Sequence, residues 1–199
     1  MKRHLEKYSI IKGGDNPLSC DVALINGEKY IYVFEVGNSK NIANKINNIK
    51  KEKNVILSHF HEDHIHNIKE IKYRKLYVGD NTFKYTKEGI VVGSNIEIED
   101  GINLSIFKIN TCHAKGSIGL IFSDYAFVGD ALAPMNKNNK MVYNVQKLKE
   151  EIEQFENLNV KYLVSSHKME NPIPKSEAIA KLKNIYSKMQ KGDPYIIVE

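Results

Sequence analysis

Short apolar runs broken by polar turns recur along the chain and read as strands, with helices interspersed among them. Residues 21–25 and 29–35 are two such runs, and the Asn26-Gly27-Glu28 between them is a hairpin signal. Gly37-Asn38-Ser39 breaks the pattern, after which Ile42, Ile46 and Ile49 recur at helical spacing and predict an amphipathic helix over 41–50. Asn54-Val55-Ile56-Leu57 then reads as a buried strand. Residues 75–78 and 90–92 predict short strands flanking a polar connection, and Ile96-Glu97-Ile98-Glu99 alternates as a half-exposed strand should. A further strand is expected over 104–109, and a strand pair over 117–122 and 125–128, joined by Ser123-Asp124. Helices are predicted near 145–158 and 175–189, with a strand at 160–164 between them. Residues 192–199 suit a final strand or a tail. This order predicts an α/β or α+β layered domain, and no Pro-, Gly- or Ser-rich linker divides it. One domain over residues 1–199 is the expectation, and that length is enough to bury a core without covalent staples.

Composition narrows the setting. Two cysteines, Cys20 and Cys112, are too few for a disulfide framework and lack the CxxC spacing of a structural zinc site. The N-terminal run Met1-Lys2-Arg3-His4-Leu5-Glu6-Lys7 is charged with no apolar signal core behind it, and no stretch approaches the roughly 18 apolar residues that span a bilayer. A cytoplasmic protein with reduced thiols and no membrane partner is therefore expected. The net charge of +5 comes from 29 Lys+Arg against 24 Asp+Glu, scattered rather than blocked. That reads as a solvated lysine-rich surface, so no nucleic-acid partner is expected.

The chemistry is concentrated elsewhere. Four of the seven histidines fall in Ser58-His59-Phe60-His61-Glu62-Asp63-His64-Ile65-His66, directly after the apolar run at 54–57. Imidazoles and a carboxylate at the mouth of a strand suit a transition metal, with Zn²⁺ the default. His59 and His61 are two apart, so extended backbone sends both side chains to one face, whereas Asp63 and His64 would point differently and could serve a second ion. Three later residues sit just beyond strand-like runs in the same way: His113, Asp130 after Tyr125-Ala126-Phe127-Val128-Gly129, and His167 after Tyr162-Leu163-Val164-Ser165-Ser166. Each alone has a dull explanation as a turn residue or a structural histidine. Their joint order does not.

The series HxHxDH at 59–64, then His113, Asp130 and His167, resembles the metallo-β-lactamase superfamily, and the resemblance covers most of the chain. It implies an αββα sandwich with metals at one edge of the paired sheets. It further implies that His59, His61 and His113 hold a first metal, that Asp63, His64 and His167 hold a second, and that Asp130 bridges them. Two zinc ions are the expected cofactors, with iron or manganese as alternatives. Two cations so placed lower the pKa of a shared water and make hydroxide available near neutral pH, with Asp63 orienting the water or moving its proton. The implied reaction is hydrolysis.

Departures from the pattern matter. The chain has Glu35-Val36-Gly37 where the family usually carries Asp-x-Gly after the first hairpin, so Glu35 is either a support for the ligands or an exposed turn acid. His66 stands where a small residue is common and reads as a rim group, and Cys112 reads as a small packing residue. The superfamily spans thioester, lactone, β-lactam and phosphodiester hydrolysis and some oxidoreductases, so the motif leaves the substrate open. A secreted lactamase is disfavoured by the N-terminal run, nuclease branches by the chain's size, and the diiron redox members by the intact His61, which they replace with an acid. A small, glyoxalase II-like hydrolase of esters, thioesters or lactones remains. A mononuclear-iron persulfide dioxygenase and a phosphodiesterase are the alternatives. The expected partner is a small-molecule substrate, whose anionic group Lys115, Lys137, Lys140 or Lys168 would hold.

Overall fold

The structure is a computed structural model that describes residues 8–198; the charged run at 1–7 and residue 199 lie outside the described residues. From β1 (Tyr8–Ile11) the chain makes a small ribbon, β2 (Gly14–Asp15) and β3 (Leu18–Ser19), then the hairpin of β4 (Val22–Asn26) and β5 (Ile31–Phe34). Helix α1 (Lys40–Asn47) leads to β6 (Lys53–Ile56). The short α2 (Glu62–Ile65) runs into a 3₁₀ turn at His66–Glu70, followed by β7 (Lys75–Val78), α3 (Asp80–Thr86) and β8 (Ile90–Val91). Together these give a six-stranded sheet ordered β1-β4-β5-β6-β7-β8, antiparallel up to β5 and parallel from β5 onward.

The second half opens with an antiparallel meander, β9 (Ile96–Glu99), β10 (Asn103–Lys108), β11 (Ile118–Phe122) and β12 (Tyr125–Gly129). A hairpin of β13 (Met135–Lys137) and β14 (Lys140–Asn144) precedes α4 (Val145–Asn157) and β15 (Tyr162–Ser165), which lies parallel to β12. After β16 (Ile173–Pro174) and α5 (Lys175–Tyr186), β17 (Tyr195–Val198) pairs with β14. The second sheet is ordered β16-β15-β12-β11-β10-β9, and β13-β14-β17 form a separate small sheet.

Burial explains why strands with continuous apolar sequence are central. In β5, Tyr32 and Phe34 point into the core between the two sheets with Ile56, Leu104, Ile106, Leu120 and Phe127. Ile31 and Val33 point the other way, with Val55 and Leu57, onto Ile42, Ala43, Ile46 and Ile68 from α1 and the 3₁₀ turn. β12 divides likewise, since Ala126 and Val128 face Leu148, Ile152 and Phe155 of α4 and Ala178 and Leu182 of α5. Both faces of each sheet are covered, so these strands cannot show the alternation of a half-solvated sheet. Four layers result, helix–sheet–sheet–helix, as the expected sandwich requires.

Most predicted elements form within a residue or two of their expected bounds, and the hairpin at Asn26-Gly27 closes with Asn26 opposite Ile31. Three differences stand out. The connection at 79–89 contains α3, whose Asp-Asn-Thr-Phe-Lys-Tyr-Thr sequence has poor helix propensity and buries only Thr82 and Thr86. The histidine run does not stay extended; it turns into α2 after His61, too polar and too short to show a period. The segment at 192–199 carries a strand, β17, held by β14.

One glycine is fixed by the fold. Gly129 has φ +59, and a Cβ there would sit 2.5 Å from Ser58 Oγ and 2.6 Å from Ser58 Cβ. The two sheets therefore touch backbone-to-side-chain at the point where β12 ends. Gly129→Ala is expected to lower unfolding free energy by about 2 kcal/mol or more, measured by denaturant titration; an unchanged midpoint would contradict this close approach.

Candidate metal centre

The histidine run leaves β6 at its C-terminal end and stays extended through His61 (φ −66, ψ 145), which caps α2. His59 and His61 thereby face the loop after β10 that carries His113. His59 Nε2 and His61 Nδ1 lie 3.0 Å apart, and His113 Nε2 is 3.2 Å from the same His61 Nδ1. Three imidazole nitrogens thus converge on one point. The outer nitrogens are held by other partners. His59 Nδ1 is 2.8 Å from Ser58 Oγ, and His113 Nδ1 donates to the Pro134 carbonyl at 3.1 Å. Such bonds leave the inward nitrogens as lone-pair donors.

The turn of α2 moves Asp63 and His64 into a second group with Asp130, at the end of β12, and His167, beyond β15. Asp63 Oδ2 lies 3.0 Å from His167 Nε2 and 3.3 Å from His64 Nε2. Asp130 Oδ2 is 3.4 Å from His64 Nε2, 3.4 Å from His167 Nε2 and 3.7 Å from His113 Nε2. Asp130 therefore touches both groups. All seven residues expected from sequence meet here, and they separate into the two sets expected of them: within each set the potential ligand atoms lie within 4.8 Å of one another.

Glu35 resolves in favour of a support. It is fully buried in the left-handed region (φ 68), which costs a non-glycine residue about 1 kcal/mol or more. Its carboxylate collects three donors: the Ser58 backbone N–H at 3.2 Å, His64 Nδ1–H at 3.1 Å and the Ser166 hydroxyl at 2.9 Å. The serines each precede a histidine of the centre, a repeated Ser-His pair that the sequence displays but that carries no period. Cys20, fully buried, completes a small cluster with Glu35 and His64, and burial pushes its thiol up to about 12. Nothing in the chain order of Cys20 signals this placement. His66 lies on the surface against Glu62, and Cys112 is half-buried beside the α4–α5 core.

Charge is unevenly spread. Burial, helped by neighbouring imidazoles, holds His59 well below and His61 below the ordinary histidine value, which favours neutral rings at these two positions. In the second group burial opposes charge on His64, but Glu35, Cys20, Asp130 and Asp63 together outweigh it and the ring is held well above its usual value. Hydrogen bonds to Asp130 and Asp63 lift His167 to about 9. Burial raises both acids' affinity for protons, yet the bonds from His167 and the nearby charge of His64 more than reverse this and leave Asp63 and Asp130 ionised. Protons on two imidazoles thus neutralise the carboxylates, which is the role a cation would take. His64 Nε2 and Asp130 Oδ1 are also buried with no hydrogen-bonding partner among the described residues. Nitrogen and carboxylate donors in this number suit zinc or iron, and the residues fit the group.

Comparison with known proteins gives the fold. No family model and no curated protein matches the chain. Among solved structures it is similar to a flavoprotein from Thermotoga maritima, at 14% identity and TM-score 0.69 over 96% of this chain and 64% of that one. The chain spans less than two thirds of that protein's length. It is similar to the metallo-β-lactamase SMB-1, at 13% identity and TM-score 0.68 over 91% of this chain and 92% of that one. It is also similar to the chemotaxis sensor ODP, solved as a peroxy diiron species, at 15% identity and TM-score 0.67 with 93% of each chain covered. The chain has the metallo-β-lactamase fold. Among the described residues, no helix is long and apolar enough to cross a membrane.

Two expectations follow. Cation uptake must displace the protons on His64 and His167, so at pH 7 it releases protons. The apparent affinity rises with pH through about 9, the value to which His167 is lifted. In metal-free protein the His167 ion pair stabilises the fold fully below the ordinary histidine value near 6.5, and this stabilisation is lost as pH rises through about 9. Potentiometric titration of metal uptake in weak buffer measures the release, and pH-independent uptake without proton release would contradict it. Separately, Glu35→Gln places an amide where three donors converge and should weaken metal retention roughly 10- to 100-fold, as read by competition with a chromophoric chelator. Retention at the original affinity would show that Glu35 does not position His64.

Proposed function

Given the metallo-β-lactamase fold, we propose that the chain is a metal-dependent hydrolase of small esters, thioesters or lactones, with two cations held by the seven residues described above. The observation that carries this reading is Asp130 Oδ2, within 3.4–3.7 Å of ring nitrogens from both donor groups. A shared carboxylate keeps two cations close enough to act on one substrate group. His59, His61 and His113 would hold the first and Asp63, His64 and His167 the second. Cations held there supply Lewis acidity and lower the pKa of water near neutral pH.

The chain's own residues account for the rest. Asp63 and His64 both come from the turn of α2 rather than a strand end, but of the two only the Asp63 side chain is partly open, at 16% exposure. That openness lets it orient an attacking water and take its proton. His167, at 32% side-chain exposure, lies at the rim, while His64 is sealed. Substrate therefore approaches from the side of Asp63 and His167. Zinc is the cation the donor chemistry favours for hydrolysis. Iron with an oxidoreductase activity is the second reading, supported by the likeness to a diiron sensor protein. The presence of a complete second donor group argues for two cations over a mononuclear iron dioxygenase.

The test is a hydrolysis screen of thioesters, lactones, carboxylic esters and phosphodiesters on protein loaded with one defined metal at a time. Zinc-loaded protein is expected to turn over a member of the first three classes, and Asp130→Ala should reduce that rate by about 10³-fold or more, on the scale of losing an essential element of charge stabilisation. Activity that survives both chelation and Asp130→Ala would sink the hydrolase reading. Turnover only with iron and dioxygen would favour the oxidoreductase.

A further inference from the structure

A pocket of about 360 Å³ lies beside the loop that presents His113, outside the seven residues already described. Thr111 and Cys112 line it just before His113, and Lys115 lines it just after. Lys108 at the end of β10 and Lys147 in the first turn of α4 bring the lysines in its lining to three. The pocket has one acid in its lining, Asp80, whose Oδ1 already accepts the Asn81 N–H at 2.9 Å. Lys147 has a partner in Glu150 at 2.8 Å, but that pair is solvent-exposed and weak.

Two further features favour an anion there. Asn144, also in the lining, caps α4 by accepting from the Lys147 N–H at 2.9 Å, and the first turn of this thirteen-residue helix carries no acid. The positive end of the helix dipole therefore adds to the lysines rather than being cancelled. The lining also includes Met135 and Tyr195, which gives an adjoining organic group apolar and aromatic surface to lie against. Of the four lysines expected from sequence to meet an anionic substrate, Lys115 alone lines this pocket; Lys137 stacks on the Tyr195 ring at 3.5 Å, and neither Lys140 nor Lys168 takes part. Lys147 is distant in sequence from every histidine of the centre, and Lys108 lies at the far end of the segment leading to His113, so no local pattern announced them.

We propose that this pocket binds the anionic group, a carboxylate or a phosphate, of the substrate hydrolysed at the adjoining histidine–aspartate centre. The link to turnover rests on the hydrolase reading above; the binding of an oxyanion does not. A substrate spanning the two sites presents its reacting bond past His113 and its charge to Lys108, Lys115 and Lys147. Uncharged analogues keep the chemistry and lose the anchor.

Two measurements test this. The first is lysine acetylation of the intact protein, read residue by residue by mass spectrometry, with and without inorganic phosphate at constant ionic strength. Phosphate is expected to slow labelling of Lys108, Lys115 and Lys147 several-fold while leaving Lys140 and Lys168 unchanged. Uniform slowing, or none, overturns the pocket as an oxyanion site whatever the protein catalyses. The second compares a neutral acetyl thioester with its carboxylate-bearing succinyl counterpart in the Lys115→Gln/Lys147→Gln double variant, both positions being exposed. KM for the succinyl thioester should rise about tenfold, the equivalent of about 1.4 kcal/mol, with kcat unchanged and the acetyl thioester unaffected. Equal effects on both thioesters overturn the assignment to substrate. If the unsubstituted protein hydrolyses neither thioester, the same comparison is made on the neutral and carboxylate-bearing forms of whichever ester or lactone it does hydrolyse; if it hydrolyses none, the hydrolase reading fails on its own, and the acetylation result alone decides the pocket.

Discussion

A single buried carboxylate organises the centre. Glu35 follows β5 in a backbone conformation that a glutamate adopts only at a cost, and burial of its polar side chain adds to that cost. Three donors offset both. They come from three separate places: the residue before His59, the ring of His64 and the residue before His167. One group therefore ties together the first sheet, α2 and the far edge of the second sheet. Removing its side chain would leave Ser58 N–H, His64 Nδ1–H and Ser166 O–H buried without an acceptor, and unpaired buried donors are among the more destabilising features a core can hold. The sandwich can form only with these segments in contact, so the geometry of the centre is a consequence of satisfying Glu35.

The remaining segments are held by shape. Gly129 lets β12 come within contact of Ser58, and this places Asp130 between the two donor groups. Thr111 bonds the Ala131 carbonyl and accepts from His113 N–H, so the loop bearing His113 is fastened to the residue after Asp130. Behind it, Glu151 of α4 is fully buried, and burial holds it well above the usual carboxylate range. It is thus a neutral acid in an otherwise apolar layer. In the first donor group burial disfavours charge on His59 and His61, whereas the second stores its compensating charge as protons on His64 and His167. That asymmetry means the two groups differ in how strongly pH controls them, although they share Asp130.

Much of this is legible in the sequence, and the limits have physical causes. Strands buried on both faces appear as short continuous apolar runs, so β5, β6 and β12 stand out, and the Asn-Gly turn fixes β4 against β5. The seven residues of the centre are legible because each follows directly on such a run, or on the turn just beyond it. By contrast, α2 and α3 are helices of a single turn or two, held by tertiary contacts and not by propensity, and no periodicity can reveal them. Glu35 is half legible: its position after the hairpin is visible, but its burial depends on Ser58 and Ser166, which are 23 and 131 residues away. Cys20, Lys108 and Lys147 are invisible for the same reason. Their importance lies in what the layers bring beside them.

The central claim is that folding assembles two donor groups joined by Asp130, and that both are used. X-ray absorption at the metal edge, with elemental analysis of protein produced in defined metal, tests it most directly. The account predicts two cations per chain, each with imidazole and carboxylate ligands, separated by about 3.5–4 Å as in other two-metal sites. One cation per chain with three imidazole ligands and no metal–metal scattering, or a chain that retains no cation, would contradict it.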